Sequence, residues 1–159
     1  MPKQKMIDLL YELMINSKRS DREIAKAVKV SQPTITRMRK SLEKLGYIRE
    51  YTVIPNLEKI GFEMVALNFL ASNINLEQAK EVQDWIFKNP KILFITSGEG
   101  LDGKTLLLVS IHKDFTDFSI FSRELKGLLG SKISSAESFL FSLKTDVIKH
   151  FSFKSLERL

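Results

Sequence analysis

The sequence predicts an α+β chain of two domains, an N-terminal winged helix-turn-helix followed by a C-terminal ferredoxin-like βαββαβ domain. Three observations predict it. Residues 20–48 read as a short capped helix, a tight turn and a basic amphipathic helix. Beyond residue 61, apolar segments alternate between strand and helix spacing in the order βαββαβ. The excess positive charge is confined to the first third: residues 1–50 carry 12 Lys/Arg against 6 Asp/Glu, and residues 51–159 carry 13 of each. A chain of 159 residues has room for two small domains.

The elements follow in order. Met6, Ile7, Leu10, Leu13 and Met14 recur at helical spacing from Lys3 to Asn16. Ser20 followed by Glu23 forms a capping box, so a second helix starts there and buries Ile24, Ala25 and Val28. Val30 closes the turn. Ser31 is the next N-cap, Pro33 fits only a first helical turn, and Gly46 ends the third helix in a left-handed cap. Tyr47–Ile54, rich in β-branched and aromatic residues, is expected as a short strand or wing. Pro55 closes the first domain, residues 1–55; residues 56–61 form a linker, whose Leu57–Gly61 stretch reads as a connector or one helical turn, and residues 62–159 the second domain.

In that second domain the expected elements are a strand over Phe62–Ala71, a helix over Leu76–Lys88 and strands over Ile92–Ser97 and Thr105–His112. A helix over Phe115–Leu129 and a strand over Ile133–Leu143 complete it, leaving a tail from Thr145. The phenylalanines 115, 118, 121, 139 and 141 are expected in its core.

The third helix carries the functional signal. At 100° per residue, Ile35, Met38, Leu42 and Leu45 form a core stripe. The opposite face holds Pro33, Thr36, Arg37, Lys40 and Lys44, with Gln32 at the N-terminal tip and Thr34 and Arg39 beside the stripe. Such a helix suits a DNA major groove. Arg37 matches guanine O6/N7 and Gln32 adenine N6/N7, while Ser31, Thr34 and Thr36 suit phosphate or a thymine methyl. Lys40 and Lys44 suit backbone phosphates, and Arg49 in the wing the flanking backbone.

These residues resemble the leucine-responsive regulator (Lrp/AsnC) family of transcription factors. The matching frame is Ile24-Ala25, Val30-Ser31, Leu42-Glu43, Gly46, Ile48, Tyr51 and Lys59-Ile60-Gly61. The resemblance implies sequence-specific binding of double-stranded DNA, a homodimer or an assembly of dimers, and a small-molecule effector such as an amino acid. The family's effector region falls here on Gly98, Gly100 and Asp102. Two departures stand out. Met38 occupies a position where the family usually has Arg, and the turn over Gly98–Lys104 is longer than the family's Gly-x-x-Asp turn.

Gly98-Glu-Gly-Leu-Asp-Gly-Lys-Thr105 also matches the phosphate-loop pattern, whose chemistry requires a helix directly after the Lys-Thr pair. Leu106–Ile111 reads instead as a buried strand, so a hairpin is expected. The absence of cysteine excludes disulfides, thiolate metal sites and Cys nucleophiles. With two distant histidines, no metal site or cofactor is expected, and His112 beside Asp114 is read as structural. No apolar run reaches membrane-spanning length, and Asp8 and Glu12 interrupt the N-terminal apolar stretch, unlike a signal peptide. The expectation is a cytoplasmic, non-enzymatic transcriptional regulator. A reading from another class is a small-molecule- or nucleotide-binding protein whose N-terminal helices only mediate oligomerisation.

Overall fold

The computed structural model describes residues 3–72, 79–145 and 147–156. The expected helix start, residues 76–78, lies outside the described residues, as do the extreme ends of the chain; the described helix begins at Lys80, after a non-helical Ala79. Two compact units are present, Met1–Pro55 with Lys149–Leu159, and Asn56–Ile148.

In the first unit, α1 (Gln4–Ile15), α2 (Asp21–Val28) and α3 (Gln32–Lys44) surround a small core. Leu9, Leu13, Ile24, Ala25, Val28, Ile35 and Leu42 are buried in it, and Met38 packs against its edge. Truncating one of its leucines or isoleucines to alanine costs about 2–5 kcal/mol, a large part of the stability a unit of this size can hold. Local chemistry sets the helix ends. Ser20 accepts the Glu23 amide while the Glu23 carboxylate accepts the Ser20 amide, which completes the expected capping box. Helix α2 ends at Lys29 in a left-handed conformation, and the Lys5 ammonium donates to the Val28 carbonyl at 2.8 Å. Gly46 (φ 72°) closes α3: Tyr47 N–H donates to the Leu42 carbonyl and Gly46 N–H to that of Glu43, a Schellman motif.

That motif turns the chain before Leu45 can reach the core. Leu45, expected in the core stripe, is 61% exposed. Residues 48–55 form neither helix nor strand, since no described segment pairs with them in a ladder. The wing is an arm without strand pairing among the described residues.

The second unit opens with a 3-10 turn, Glu58–Ile60, closed by Gly61. Its elements are β1 (Met64–Ser72), α4 (Lys80–Lys88), β2 (Ile92–Gly100), β3 (Lys104–His112), α5 (Phe115–Leu129) and β4 (Ile133–Ser142). The strands form one antiparallel sheet ordered β2-β3-β1-β4, the ferredoxin-like arrangement. Leu70, Leu106 and Leu108 pack against Val82, Phe121, Leu125 and Leu129 of the two helices.

Strand alternation sends Leu67 and Phe69 of β1 to the opposite face. There they pair across strands with Val109 and Leu107 of β3 and with Phe139 and Glu137 of β4, and Phe94 of β2 lies opposite Val109. No described element covers this face. Phe139 is consequently 62% exposed and Phe141 37%, contrary to the core placement expected for them; Phe115, at the start of α5, is also exposed. Phe118 and Phe121 are buried as expected.

Candidate nucleic-acid interface

Helix α3 sorts its polar residues into two groups. Thr36 Oγ1 donates to Asp21 Oδ2 at 2.7 Å, and Arg39 grips the other oxygen of the same carboxylate through Nε (3.1 Å) and Nη2 (2.6 Å). Asp21 sits at the first position of α2, so this clamp fixes the angle between the two helices of the motif. The Thr36 hydrogen bond, with Arg39, holds the Asp21 carboxyl below the usual range against the opposing effect of burial. Arg39 also meets Tyr51, whose hydroxyl donates to Glu43 Oε1 at 2.9 Å. Burial works against the Arg39 charge, but its bonds to Tyr51 and Asp21 outweigh it and raise its pKa. Burial likewise raises the Tyr51 phenol. The chain Asp21–Arg39–Tyr51–Glu43 thus joins α2, α3 and the arm.

Sequence reasoning missed this network. Its signal was present in Arg39 lying beside the core stripe, where a guanidinium needs a carboxylate. Asp21→Ala is expected to cost about 1.5–3 kcal/mol, the range for charge-assisted hydrogen bonds. Urea denaturation of the full chain measures it, and an unchanged midpoint would show the clamp to be idle.

The second group is uncommitted. The side chains of Gln32, Arg37, Lys40, Lys44 and Arg49 are exposed, and no hydrogen bond or ion pair engages them among the described residues. Pro33 is exposed in the first turn. Ser31 holds the N-cap position without capping an amide; its hydroxyl meets that of the half-buried Thr34 at 2.8 Å. Thr36 has spent its one donor proton on Asp21, which leaves its acceptor lone pairs and its methyl for another partner.

The residues of the expected effector region lie elsewhere, on the β2–β3 hairpin. Gly98 and Gly100 belong to β2, and the turn is Leu101-Asp102-Gly103, with φ of 43°, 56° and 79°. Asp102 lines a cavity of about 340 Å³ with Phe69, Leu101, Lys104, Glu137, Ser138 and Phe139; Gly98 and Gly100 do not line it. Lys104 is 7% exposed and donates to Ser135 Oγ at 2.9 Å and Glu137 Oε1 at 2.7 Å. Its neighbour Thr105 continues into β3, so the phosphate-loop pattern lacks its helix.

One arrangement has catalytic shape. His112 Nε2 lies 2.8 Å from Ser110 Oγ, and its Nδ1 lies 3.7 Å from Asp117 Oδ2. The partner is Asp117, one helical turn beyond the Asp114 that sequence adjacency suggested; Asp114 instead caps α5 by accepting the Asp117 amide. Ser110 and His112 are fully buried, so no substrate reaches the hydroxyl. The serine belongs to a polar ladder: Asn68 Nδ2 donates to Ser110 Oγ at 3.1 Å, and Ser138 Oγ donates to Asn68 Oδ1 at 2.8 Å.

Burial lowers the His112 pKa below 6.5, and the nearby Lys91 ammonium reinforces this; the Asp117 carboxylate opposes it. The unfolded chain therefore binds the proton more readily than the folded one. His112 permits full stability above pH 6.5, and that stability is lost as pH falls from 6.5 through the lowered folded value. In urea titrations between pH 7 and pH 5, His112→Gln is expected to flatten this loss; parallel profiles for the two proteins would count against it.

Among the described residues no group of three or more His, Asp or Glu is placed to hold a metal. None of their helices is long and apolar enough to cross a membrane.

Comparison with known proteins bears on both units. Residues 3–49 match a winged helix-turn-helix DNA-binding family. An uncharacterized HTH-type transcriptional regulator of Pyrococcus abyssi is 28% identical over 148 residues, which cover 90% of this chain and 92% of that one. A transcriptional regulator of Neisseria meningitidis, solved as a complex with L-Met, superposes with TM-score 0.76 at 24% identity over 94% of each chain. An AsnC family transcriptional regulator from Agrobacterium tumefaciens superposes with TM-score 0.78 at 17% identity, again over 94% of each.

Proposed function

We propose that this chain, a winged helix-turn-helix protein with the two-domain fold of the Lrp/AsnC regulators, is a sequence-specific DNA-binding transcriptional regulator. The observation that carries the reading is the division of labour on α3. Thr36 and Arg39 are spent on orienting the helix, while Gln32, Arg37, Lys40 and Lys44 stand exposed and uncommitted. Arg37 and Gln32 read base edges, Ser31, Pro33, Thr34 and Thr36 approach the groove at the helix's leading end, and Lys40, Lys44 and Arg49 bear on phosphates.

The DNA-binding domain comprises residues 1–55, joined through residues 56–61 to a domain that senses and dimerises. A second copy covers the open sheet face, where Leu67, Phe69, Phe94, Val109, Phe139 and Phe141 would otherwise leave an apolar surface in water. Two helix-turn-helix motifs then address successive major grooves about 34 Å apart, and the operator is approximately palindromic. A small-molecule effector is accommodated in the hairpin region of Gly98, Gly100 and Asp102; of these three, Asp102 lines the cavity, whose walls are mixed apolar and charged. An amino acid is the class to try first, since the Neisseria neighbour was solved with L-Met. Such a protein works in the cytoplasm.

The test is selection of bound duplexes from a random pool at two salt concentrations, with and without a panel of amino acids. A palindromic consensus and affinity that falls steeply with salt are expected. Absence of any enriched sequence would favour helices that serve only oligomerisation.

A further inference from the structure

The C-terminal segment belongs with the helical unit, not with the sheet it follows in sequence. This changes the distribution of charge. Met1–Pro55 with Lys149–Leu159 carries 15 Lys/Arg against 7 Asp/Glu, a net +8, whereas Asn56–Ile148 carries 10 against 12, a net −2. The segment contributes to the basic unit and takes its excess away from the sheet unit, which becomes weakly acidic.

The segment is locally ordered and presents its cations outward. Lys149, His150 and Lys154 are exposed. Phe151 and Phe153 stack edge to face with centroids 5.0 Å apart, and the Lys154 amide donates to Ser152 Oγ at 3.2 Å. The amide of Leu156 donates to the Phe153 carbonyl at 3.1 Å. These contacts brace a short strap with one lysine at each end.

We propose that Lys149–Lys154 is a second DNA-contacting element, in which Lys149 and Lys154 bear on the phosphate backbone beside the groove occupied by α3. The inference rests on DNA binding by α3 and adds a partner surface to it. Two arguments favour duplex DNA as the occupant. The strap shares a 66-residue unit with α3, and a compact unit of that length has a radius of gyration of about 11 Å. Six residues span at most about 21 Å when extended, a length over which duplex DNA presents about twelve phosphate charges. A basic strap on a basic unit meets that density without having to be drawn from elsewhere in the fold.

The experiment compares the full-length chain with Lys149→Gln/Lys154→Gln, and with Lys88→Gln/Lys126→Gln in the sheet unit as a control for lost charge. Duplex affinity is measured across a range of salt. The slope of log affinity against log salt is expected to become shallower by about 1.8 for each chain bound in the tail variant, with the selected sequence unchanged. Lys149→Arg/Lys154→Arg should keep the parent slope, and the control pair should leave it unaltered. A parent protein that binds DNA with a steep slope shared by the tail variant overturns the inference and leaves the function of α3 standing. An equal change in tail and control variants also overturns it, since general charge would then suffice. A parent with no salt-dependent affinity for DNA overturns both readings.

Discussion

Arg37→Ala is expected to erase base preference at one position in each half-site and to weaken binding by about 1–3 kcal/mol per site contacted. The guanidinium is the one exposed group on α3 whose planar fork matches the guanine edge, and no intramolecular partner holds it among the described residues. Its neighbour Arg39 has the same chemistry but is committed to Asp21 and Tyr51, so Arg39→Ala should lower stability more than it shifts preference. Lys44→Ala supplies the contrast. A lysine on phosphate adds affinity without reading sequence, so all duplexes should weaken about equally and the salt slope should fall by about 0.9 per contact. Selection from random duplexes with the three variants separates these outcomes. Matching consensus sequences for the parent and Arg37→Ala would remove Arg37 from the reading role.

If two copies meet on the open sheet face as proposed, Phe139→Asp is expected to convert that dimer to a monomer. Phe139 lies on the open sheet face opposite Leu67, and 62% of its surface is exposed in the single chain. Burying a phenylalanine contributes about 1.5–3 kcal/mol, and a carboxylate in its place would have to be desolvated without a partner. Loss of the second copy also removes bivalent attachment to two half-sites, worth about 10²–10⁴ in apparent affinity. Light scattering should report half the parent mass, and operator affinity should fall with it. Phe87→Asp is the control: Phe87 is 85% exposed on α4, a helix packed on the other face of the sheet. If Phe139→Asp keeps the parent mass, this face is not where the copies meet.

Much of this was legible in the sequence because it rests on local chemistry. The capping box at Ser20 and Glu23, proline in the first turn of α3 and the left-handed Gly46 each act within a few residues, so their spacing alone announces the helices. The exposed face of α3 was equally legible, since helical period assigns Arg37, Lys40 and Lys44 opposite Ile35 and Leu42. The failures are those of longer range. Leu45 fits the stripe by angle, but the chain turns away through the Schellman motif before it reaches the core. Tyr47–Ile54 has strand composition, yet a strand needs a partner, and composition does not supply one. The phenylalanines of β4 and α5 look alike in sequence, although Phe121 is fully buried and Phe139 mostly exposed.

The sequence by itself determined the order of elements, the helix boundaries to within a few residues and the face of α3 that meets solvent. All of these follow from periodicity and from hydrogen bonds between near neighbours. Only the tertiary structure decided which face of the sheet the helices cover, that Asp21 and Arg39 are partners, that His112 faces Asp117, and that the tail belongs to the basic unit. Alternation along a strand divides residues into two faces without saying which is buried. A charge pair eighteen residues apart, or a tail that rejoins the first domain, is fixed only when separate elements pack together.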